Sequence, residues 1–159
     1  MKKPLSPGEA LNKAAAYCTL CERCINEVSA KLTAWGVLPG EQKKIIARLI
    51  DEKFIDEARY CRAFVNDKLR FNRWGRIKII AALRDKHLPQ EHISEAIESI
   101  DDEKYIDILK EVIAIKHKEY KGKDDYTTKQ KLMRHAASRG FEPATIMRFI
   151  NISDDEMDF

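Results

Sequence analysis

The chain has 159 residues, of which 44% are hydrophobic and 35% charged, and its formal net charge at pH 7 is only +3. With 6 glycines and 5 prolines, this composition favours helices with charged outer faces over a sheet-rich fold. No apolar run approaches the roughly 18 residues of a membrane span, and MKKPLSPGEA lacks the apolar core of a signal peptide, so we expect a cytoplasmic protein with free thiols.

The first predicted element is an Ala-rich helix over residues 9–20, which leads into YCTLCERCINE at residues 17–27. Three cysteines recur there at intervals of three residues: Cys18, Cys21 and Cys24. This is the spacing of the first three ligands in a bacterial ferredoxin iron–sulfur run, but Val28 stands where the fourth cysteine should be. Cys61 lies in a different predicted helix and no histidine is near, so a zinc site lacks ligands too. The sequence therefore predicts no metal and no cofactor, with an iron–sulfur or redox protein as the less favoured alternative.

Three segments of the chain align without gaps when three turn residues are superposed: Gly36, His87 and Gly140. Apolar residues at helical spacing precede each turn. A proline two or three residues after each turn suits the start of another helix: Pro39, Pro89 and Pro143. Glycine at the turn suits the left-handed end of a helix, so His87 predicts a slightly different cap. Each segment therefore indicates a helix, a tight turn and a second helix.

A further helical run precedes each of these pairs, at residues 9–20, 56–71 and 104–120. We therefore expect an all-α fold of nine helices in three tandem three-helix repeats that resemble helix-turn-helix units. The expected boundaries are 8–53, 54–102 and 103–152, followed by an acidic tail at 153–159. Because a unit of about 50 residues is marginally stable alone, the repeats should pack together.

The alignment gives Cys24 a structural interpretation. Twelve residues before each turn stand the residues predicted to begin the second helix of each repeat: Cys24, Gly75 and Thr128. Ser, Thr, Asn, Asp or Gly is usual at such an N-cap, and Glu27 follows Cys24 at the spacing of a capping box. We interpret Cys24 as an imperfect N-cap, with Cys18 and Cys21 at the end of the preceding helix.

The densest cationic stretch of the chain is DKLRFNRWGRIKIIAALRDKH, at residues 67–87. Its cations are Lys68, Arg70, Arg73, Arg76, Lys78, Arg84 and Lys86. Two aromatic residues, Phe71 and Trp74, are interleaved at the predicted corner between two helices. Such a stretch suits nucleic-acid phosphates and bases, and it equally suits an acidic groove on a protein. The structural alternative is that both aromatic rings pack the corner and the cations form a solvated face.

A second cationic run lies in the third repeat, at Lys116, Lys118, Lys121, Lys123, Lys129, Lys131, Arg134 and Arg139. No enzyme motif accompanies either run: GxxxxGK[ST], GxGxxG, HExxH and GxSxG are absent from the sequence. The four histidines form no constellation with other candidate groups. We therefore expect a protein that is not an enzyme and has no catalytic residues.

The central segment FIDEARYCRAFVNDKLRFNRWGRIKIIAALRDKHLPQEHISEAI, at residues 54–97, resembles the RecX family of recombination regulators. The family pattern runs roughly Y-I-D-D-x-R-F-A-x-x-F-V, followed by a basic stretch and G-x-x-x-I-x-x-x-L. Phe54-Ile55-Asp56-Glu57 match its opening, and Arg59-Tyr60 match its Arg-Phe pair. The later positions are matched by Gly75, Ile79 and Leu83. The resemblance extends over about residues 10–151.

The resemblance implies an elongated, curved array of three-helix repeats that acts in DNA repair, recombination and the SOS response. Members bind the RecA recombinase, chiefly as its filament on single-stranded DNA, and usually inhibit its ATPase and strand exchange. This chain departs from the family at Leu20-Cys21 and Cys24, where members commonly have a basic pair and a serine. Contacts made through that basic pair are therefore not expected here.

Combined with the resemblance, the basic stretch predicts a RecA- or DNA-binding surface formed by Lys68, Arg70, Arg73, Trp74, Arg76, Lys78, Arg84 and Lys86. Asp56 and Arg59 are predicted to be structural, as a helix N-cap and a partner one turn on. The expected partners are the RecA filament and the single-stranded DNA within it, with weak direct DNA binding, no membrane, and a monomeric protein. The alternative is a stand-alone nucleic-acid-binding protein of the helix-turn-helix type, which would bind DNA tightly without the recombinase.

Overall fold

The computed structural model describes residues 5–120 and 125–157, and for residues 151–157 it describes the backbone only. Within these ranges the chain forms nine α-helices, a short 3-10 turn at Lys118–Tyr120 and no strand. The helices are α1 (Pro7–Leu20), α2 (Ile25–Ala34), α3 (Pro39–Asp51), α4 (Glu57–Arg70), α5 (Arg76–Asp85), α6 (Gln90–Glu98), α7 (Asp102–His117), α8 (Asp125–Ser138) and α9 (Pro143–Met157). The prediction of an all-α fold is confirmed.

Some of the predicted features lie at the edges of these ranges. The second cationic run includes Lys121 and Lys123, which lie outside the described residues, as do the last two residues of the predicted acidic tail. The backbone of the tail's remaining residues continues helix α9. None of the described helices combines the length and the apolar character that a membrane span requires.

All three predicted turns have the same hydrogen-bonded geometry. Backbone φ is 79° at Gly36, 60° at His87 and 98° at Gly140. In each case the next residue donates its N–H to the carbonyl five residues earlier: Val37 to Leu32, Leu88 to Leu83 and Phe141 to Ala136. This is the Schellman motif, so the prediction of a different cap at His87 is wrong. The two turn hydrogen bonds and the buried Leu88 offset the strain of about 1–2 kcal/mol that a side chain suffers in this conformation.

The described residues fall into two compact units. Unit 1 contains residues up to Phe64 together with Leu83–Ala96, and unit 2 contains Val65–Ala82 and the residues from Ile97 onward. Helices α1–α3 therefore belong to unit 1 and α7–α9 to unit 2, whereas α4, α5 and α6 each contribute residues to both.

Each unit has its own apolar core. The core of unit 1 is formed by Ala10, Ala14, Val28, Leu32, Ile45, Leu49 and Ile55. Buried residues of unit 2 include Tyr105, Leu109, Val112, Leu132, Ala136, Phe141 and Ile146. The rings of Tyr105 and Phe141 lie 5.3 Å apart between centroids. Since each large apolar side chain contributes about 1.5–3 kcal/mol when fully buried, these helical faces hold the units together.

The first turn of helix α2 confirms the interpretation of Cys24. Its backbone N–H donates to the Glu27 carboxylate at 3.1 Å, and its side chain accepts from the Glu27 backbone N–H, which completes a capping box. The next amide, that of Ile25, donates to Glu57 at 3.2 Å. In helix α5 the corresponding amide, that of Arg76, donates to the Tyr105 hydroxyl at 3.1 Å. Both helices are thus capped by side chains that come later in the chain.

The prediction that Thr128 begins a helix is wrong. Helix α8 begins three residues earlier, at Asp125, and Thr128 is buried in its first turn. The Asp125 carboxylate suits the positive end of the helix dipole. The structural roles of Asp56 and Arg59 are confirmed, since the Asp56 carboxylate accepts the Arg59 backbone N–H at 3.0 Å. The Arg59 guanidinium, however, bonds to Glu22 at 2.6 Å.

Candidate interaction surface

The eight residues of the predicted surface are divided between the two units. Arg84 and Lys86 lie in unit 1. The other six lie in unit 2: Lys68, Arg70, Arg73, Trp74, Arg76 and Lys78.

The two predicted cations of unit 1 take part in hydrogen bonds within that unit. Arg84 is exposed and its Nε donates to the Gln90 side chain at 3.2 Å. Lys86 is half-buried, and its Nζ lies 3.4 Å from Glu27 Oε2. Burial alone would raise the pKa of Glu27, but the hydrogen bond from the Cys24 backbone, the Lys86 charge and bonds from the Cys24 and Tyr60 side chains together lower it. Lys86 thus stabilises the carboxylate that caps α2.

Arg76, in unit 2, is partly buried and pairs with two carboxylates. Its guanidinium bonds to Glu142 at 2.9 Å and to Asp102 at 3.0 Å, and only 23% of its side chain is exposed. It also lies 3.8 Å from the centre of the Tyr105 ring, and the Tyr105 hydroxyl donates to Glu142. Burial, followed by the bond to Glu142, raises the pKa of Tyr105. These bonds give Arg76 a structural role in joining α5 to α7 and to the residue that precedes α9.

Arg73 also has a carboxylate partner, although a more exposed one. Its guanidinium bonds to Glu111 at 2.8 Å, with 40% of the Arg73 side chain and 50% of the Glu111 side chain exposed. Pairs this exposed contribute only about 0–1 kcal/mol. Arg73 remains reachable, but Glu111 offsets part of its charge.

Two of the predicted cations lie close to the Trp74 ring. Lys68 Nζ lies 4.8 Å and Lys78 Nζ 4.6 Å from the centre of the Trp74 ring. Attraction between a cation and the face of an indole ring is worth about 0.5–1 kcal/mol at exposed sites. Two ammonium groups, one from α4 and one from α5, are therefore held at the half-buried Trp74.

Phe71 does not pack the corner. Its side chain is 74% exposed, so the structural alternative is wrong for this ring. The Arg70 guanidinium lies 5.8 Å from the ring centre. Phe71 was visible in the sequence as an aromatic residue among cations, but its exposure could not be read from the sequence.

Sequence reasoning missed the contribution of Arg139 to this corner. Its guanidinium donates to the carbonyl of Asn72, and its own carbonyl accepts the Gly75 N–H at 2.8 Å. A separation of 67 residues between Arg139 and Asn72 leaves no periodic signal that could have paired them. We define the corner surface as the side chains, all in unit 2, of Lys68, Arg70, Phe71, Trp74, Lys78 and Arg139.

The second cationic run also meets an aromatic ring in unit 2. Lys116 Nζ lies 5.9 Å and Lys131 Nζ 5.1 Å from the centre of the Tyr120 ring. Lys116 also pairs with Glu119 at 2.8 Å. Burial lowers the pKa of His135, and the charges of Lys116 and Arg139 lower it further. Two cations of this run thus lie near one aromatic ring of unit 2.

Comparison with protein families gives two adjoining matches. A family model described as RecX, second three-helix domain, matches residues 56–97. A model described as RecX, third three-helix domain, matches residues 102–150. Together the two models match more than half of the chain.

Individual relatives and a crystal structure agree with these matches. The regulatory protein RecX of Lactobacillus johnsonii is 27% identical over 143 residues, which cover 89% of this chain and 52% of that protein. The regulatory protein RecX of Prosthecochloris aestuarii is 27% identical over 143 residues, which cover 90% of this chain and 92% of that protein. The chain thus spans about half of the first relative and nearly all of the second. The crystal structure of RecX from Lactobacillus salivarius has a TM-score of 0.81 at 19% identity, covers 92% of this chain and 97% of that one, and supports the fold.

Proposed function

This chain belongs to the RecX family of regulatory proteins, and we propose from this premise that it binds the RecA recombinase filament on single-stranded DNA and modulates its activity. The expected direction is inhibition of ATPase and strand exchange. In this proposal the protein acts by binding alone, as a cytoplasmic monomer without catalytic residues or a cofactor.

The observation that carries the proposal is the pair of lysines at Trp74. Lys68 and Lys78 lie within 4.8 Å and 4.6 Å of one ring, in a segment that the second-domain family model matches. A filament on DNA presents both phosphates and protein carboxylates, and a dense group of cations attracts either. Among the predicted contacts we therefore give Lys68, Arg70, Trp74 and Lys78 the central place. Arg76 and Lys86 are assigned to the internal ion pairs described above.

The test is RecA ATPase on single-stranded DNA, titrated with this protein and with the double variant Lys68→Glu/Lys78→Glu. The wild-type chain should lower the ATPase rate. The variant should need at least about tenfold more protein for the same effect, since two attractive charges become repulsive and each lost contact of about 1.4 kcal/mol costs a factor of ten.

The matched control is Lys43→Glu/Lys44→Glu on α3, which makes the same change in net charge on exposed residues of unit 1. It should inhibit like the wild type, and circular dichroism should show equal helix content in all three proteins. Reversing Arg76 would be a poor test, because a glutamate there would face Glu142 and Asp102 and destabilise the fold. A wild-type chain without effect on the ATPase would refute the function, whereas unaltered inhibition by Lys68→Glu/Lys78→Glu would refute only the surface.

A further inference from the structure

Phe71 presents its ring to solvent from a fixed backbone. It follows the last residue of α4, its N–H donates to the Asp67 carbonyl at 2.9 Å, and its side chain is 74% exposed. Single exposed apolar residues are common on protein surfaces, so exposure alone does not indicate a site. The groups around the ring decide what it can bind.

Those groups are cationic. The Arg70 guanidinium lies 5.8 Å from the Phe71 ring centre, and the next residue, Asn72, accepts the Arg139 guanidinium at its carbonyl. The two lysines at Trp74 belong to the same corner. The centre of a protein–protein contact is depleted of charged residues, and lysine is depleted across interfaces generally. An exposed aromatic ring among cations is instead typical of sites for single-stranded nucleic acid, where bases stack on rings and cations follow the phosphates.

The two aromatic residues of the corner have different surroundings. Trp74 is half-buried and has an ammonium group within 5 Å of its ring centre from both α4 and α5, so its role is to hold the lysines. Phe71 is more exposed than Trp74, and the Arg70 guanidinium lies at the longer distance of 5.8 Å from its ring centre. Phe71 is therefore the ring on which an unpaired base can stack.

One exposed acid opposes this binding. Asp67 lies one helical turn before Phe71 on α4, and its carboxylate repels phosphates. Glu111 likewise offsets Arg73. The balance at the corner still favours anions, because Lys68, Arg70, Lys78 and Arg139 outnumber Asp67.

We infer that the corner surface binds single-stranded DNA directly, with a base stacked on Phe71 and phosphates held by Lys68, Arg70 and Lys78. The inference rests on the proposed function for the identity of the nucleic acid, and it deepens that function by assigning this surface to the DNA strand. Phe71 then determines the preference for single strands, because a duplex keeps its bases stacked within the helix.

The experiment measures fluorescence anisotropy of the protein alone with three labelled DNAs: an oligothymidylate, an abasic strand of equal length and a duplex. Stacking on an aromatic side chain is worth about 1–3 kcal/mol per base, so Phe71→Ala should weaken oligothymidylate binding by roughly 5-fold to 150-fold. The same variant should leave binding to the abasic strand unchanged. Leu20→Ala, which removes an equally exposed apolar side chain from unit 1, is the control and should bind like the wild type.

The lysines are tested by salt dependence. Lys68→Gln/Lys78→Gln should weaken binding to the oligothymidylate and the abasic strand alike. It should also reduce the slope of log affinity against log salt by about 1.4, since each phosphate contact to a single strand contributes about 0.7.

Three outcomes would overturn the inference: no binding to the oligothymidylate, equal affinity of Phe71→Ala and wild type for it, or wild-type affinity for the duplex equal to that for the single strand. If Phe71→Ala lost RecA inhibition but kept its DNA affinity, the surface would be a protein-docking site and the inference would also fail. A wild-type chain that binds single strands as expected but does not alter the RecA ATPase would support the inference and refute the proposed function.

Discussion

At the scale of single residues, Cys24 shows how burial decides the chemistry of a side chain. Burial, opposed by the Glu27 backbone bond, raises the pKa of its thiol to about 11. Burial likewise raises the pKa of Cys61 to about 11. The thiolate is the form that binds metals and reacts as a nucleophile, and the raised pKa values keep both thiols protonated at neutral pH. A spacing typical of iron–sulfur ligands is therefore occupied, at its third position, by a helix cap.

The two raised thiol pKa values predict a loss of stability at alkaline pH. Their folded-state pKa values of about 11 lie above the ordinary value of 9.0, so the contribution is complete below pH 9 and is lost as the pH rises toward 11. For each thiol the free energy of unfolding should fall by up to about 1.4 kcal/mol per pH unit. Between pH 8 and pH 10.5 the free energy of unfolding should fall by about 1–2 kcal/mol less in Cys61→Ala than in the wild type. The measurement is urea unfolding under reducing conditions. Parallel pH profiles for the two proteins would contradict this.

The sequence identified the cations of the corner but not their partners. Arg73 and Arg76 were predicted to face a ligand, yet Glu111 and Glu142 pair with them from 38 and 66 residues further along the chain. Nothing in the local pattern indicates such pairs, because helical periodicity reports only on neighbours within a turn or two. The exposure of the Phe71 ring was equally undetermined, because an aromatic residue at a helix end can point inward or outward.

At the scale of elements, helix α5 begins directly against the turn between α8 and α9. The Gly75 N–H donates to the Arg139 carbonyl at 2.8 Å, and the Ile77 N–H donates to the Gly140 carbonyl at 3.0 Å. These bonds satisfy amides at a helix start that have no partner within the helix. The helix start at Gly75 was predicted from N-cap preferences, whereas the structural reason for glycine is this close backbone contact.

A methyl group at position 75 should therefore be strongly destabilising. A Cβ there would lie under 3.0 Å from the Gly140 carbon and oxygen and from the Phe141 nitrogen, all of them backbone atoms. We expect Gly75→Ala to lower the free energy of unfolding by more than about 2 kcal/mol, in the range of severe core substitutions, as measured by urea denaturation.

Gly40→Ala is the matched control. A Cβ at this position in α3 meets nothing within 4 Å, and alanine is the better helix former, so this variant should gain about 0.5–1 kcal/mol. If Gly75→Ala were as stable as Gly40→Ala, the backbone contact would not determine the residue at position 75.

Helix positions were predictable to within a few residues because the apolar period is strong. The runs predicted at 9–20, 56–71 and 104–120 correspond to Pro7–Leu20, Glu57–Arg70 and Asp102–His117. The start of α8 was predicted less well. The repeat alignment places Thr128 opposite Gly75, which precedes α5, and Thr128 was therefore predicted to begin a helix. A cap that depends on contacts with another part of the chain does not transfer by alignment.

At the scale of the whole molecule, the two compact units do not follow the repeat pattern. The second predicted repeat is divided between them, with Phe64 and Val65 of α4, and Ala82 and Leu83 of α5, on either side of the division. The repeat boundaries 8–53, 54–102 and 103–152 stay a prediction. They describe the pattern of the sequence, whereas the units follow the contacts within the folded backbone.

The sharing of α4, α5 and α6 between the units predicts cooperative unfolding. Each unit holds one of the two tryptophans of the chain, Trp35 in unit 1 and Trp74 in unit 2. The variant Trp74→Phe keeps Trp35 and so reports on unit 1 by fluorescence, and Trp35→Phe keeps Trp74 and reports on unit 2. Loss of either unit removes packing from the three helices that both units share. The urea transitions of the two variants should therefore coincide once each is referred to its own midpoint by circular dichroism. A fluorescence transition that departs from the circular dichroism transition of the same protein would contradict this.

The direction of the helix caps has a consequence for synthesis on the ribosome. The Ile25 amide is capped by Glu57, which follows 32 residues later, and the Arg76 amide by Tyr105, which follows 29 residues later. At about 5–20 residues per second, the Ile25 amide is made about 2–6 seconds before the Glu57 carboxylate exists. In the nascent chain the capping box of Cys24 and Glu27 can form as soon as α2 is made, whereas the Ile25 amide stays without its carboxylate partner until Glu57 has been added.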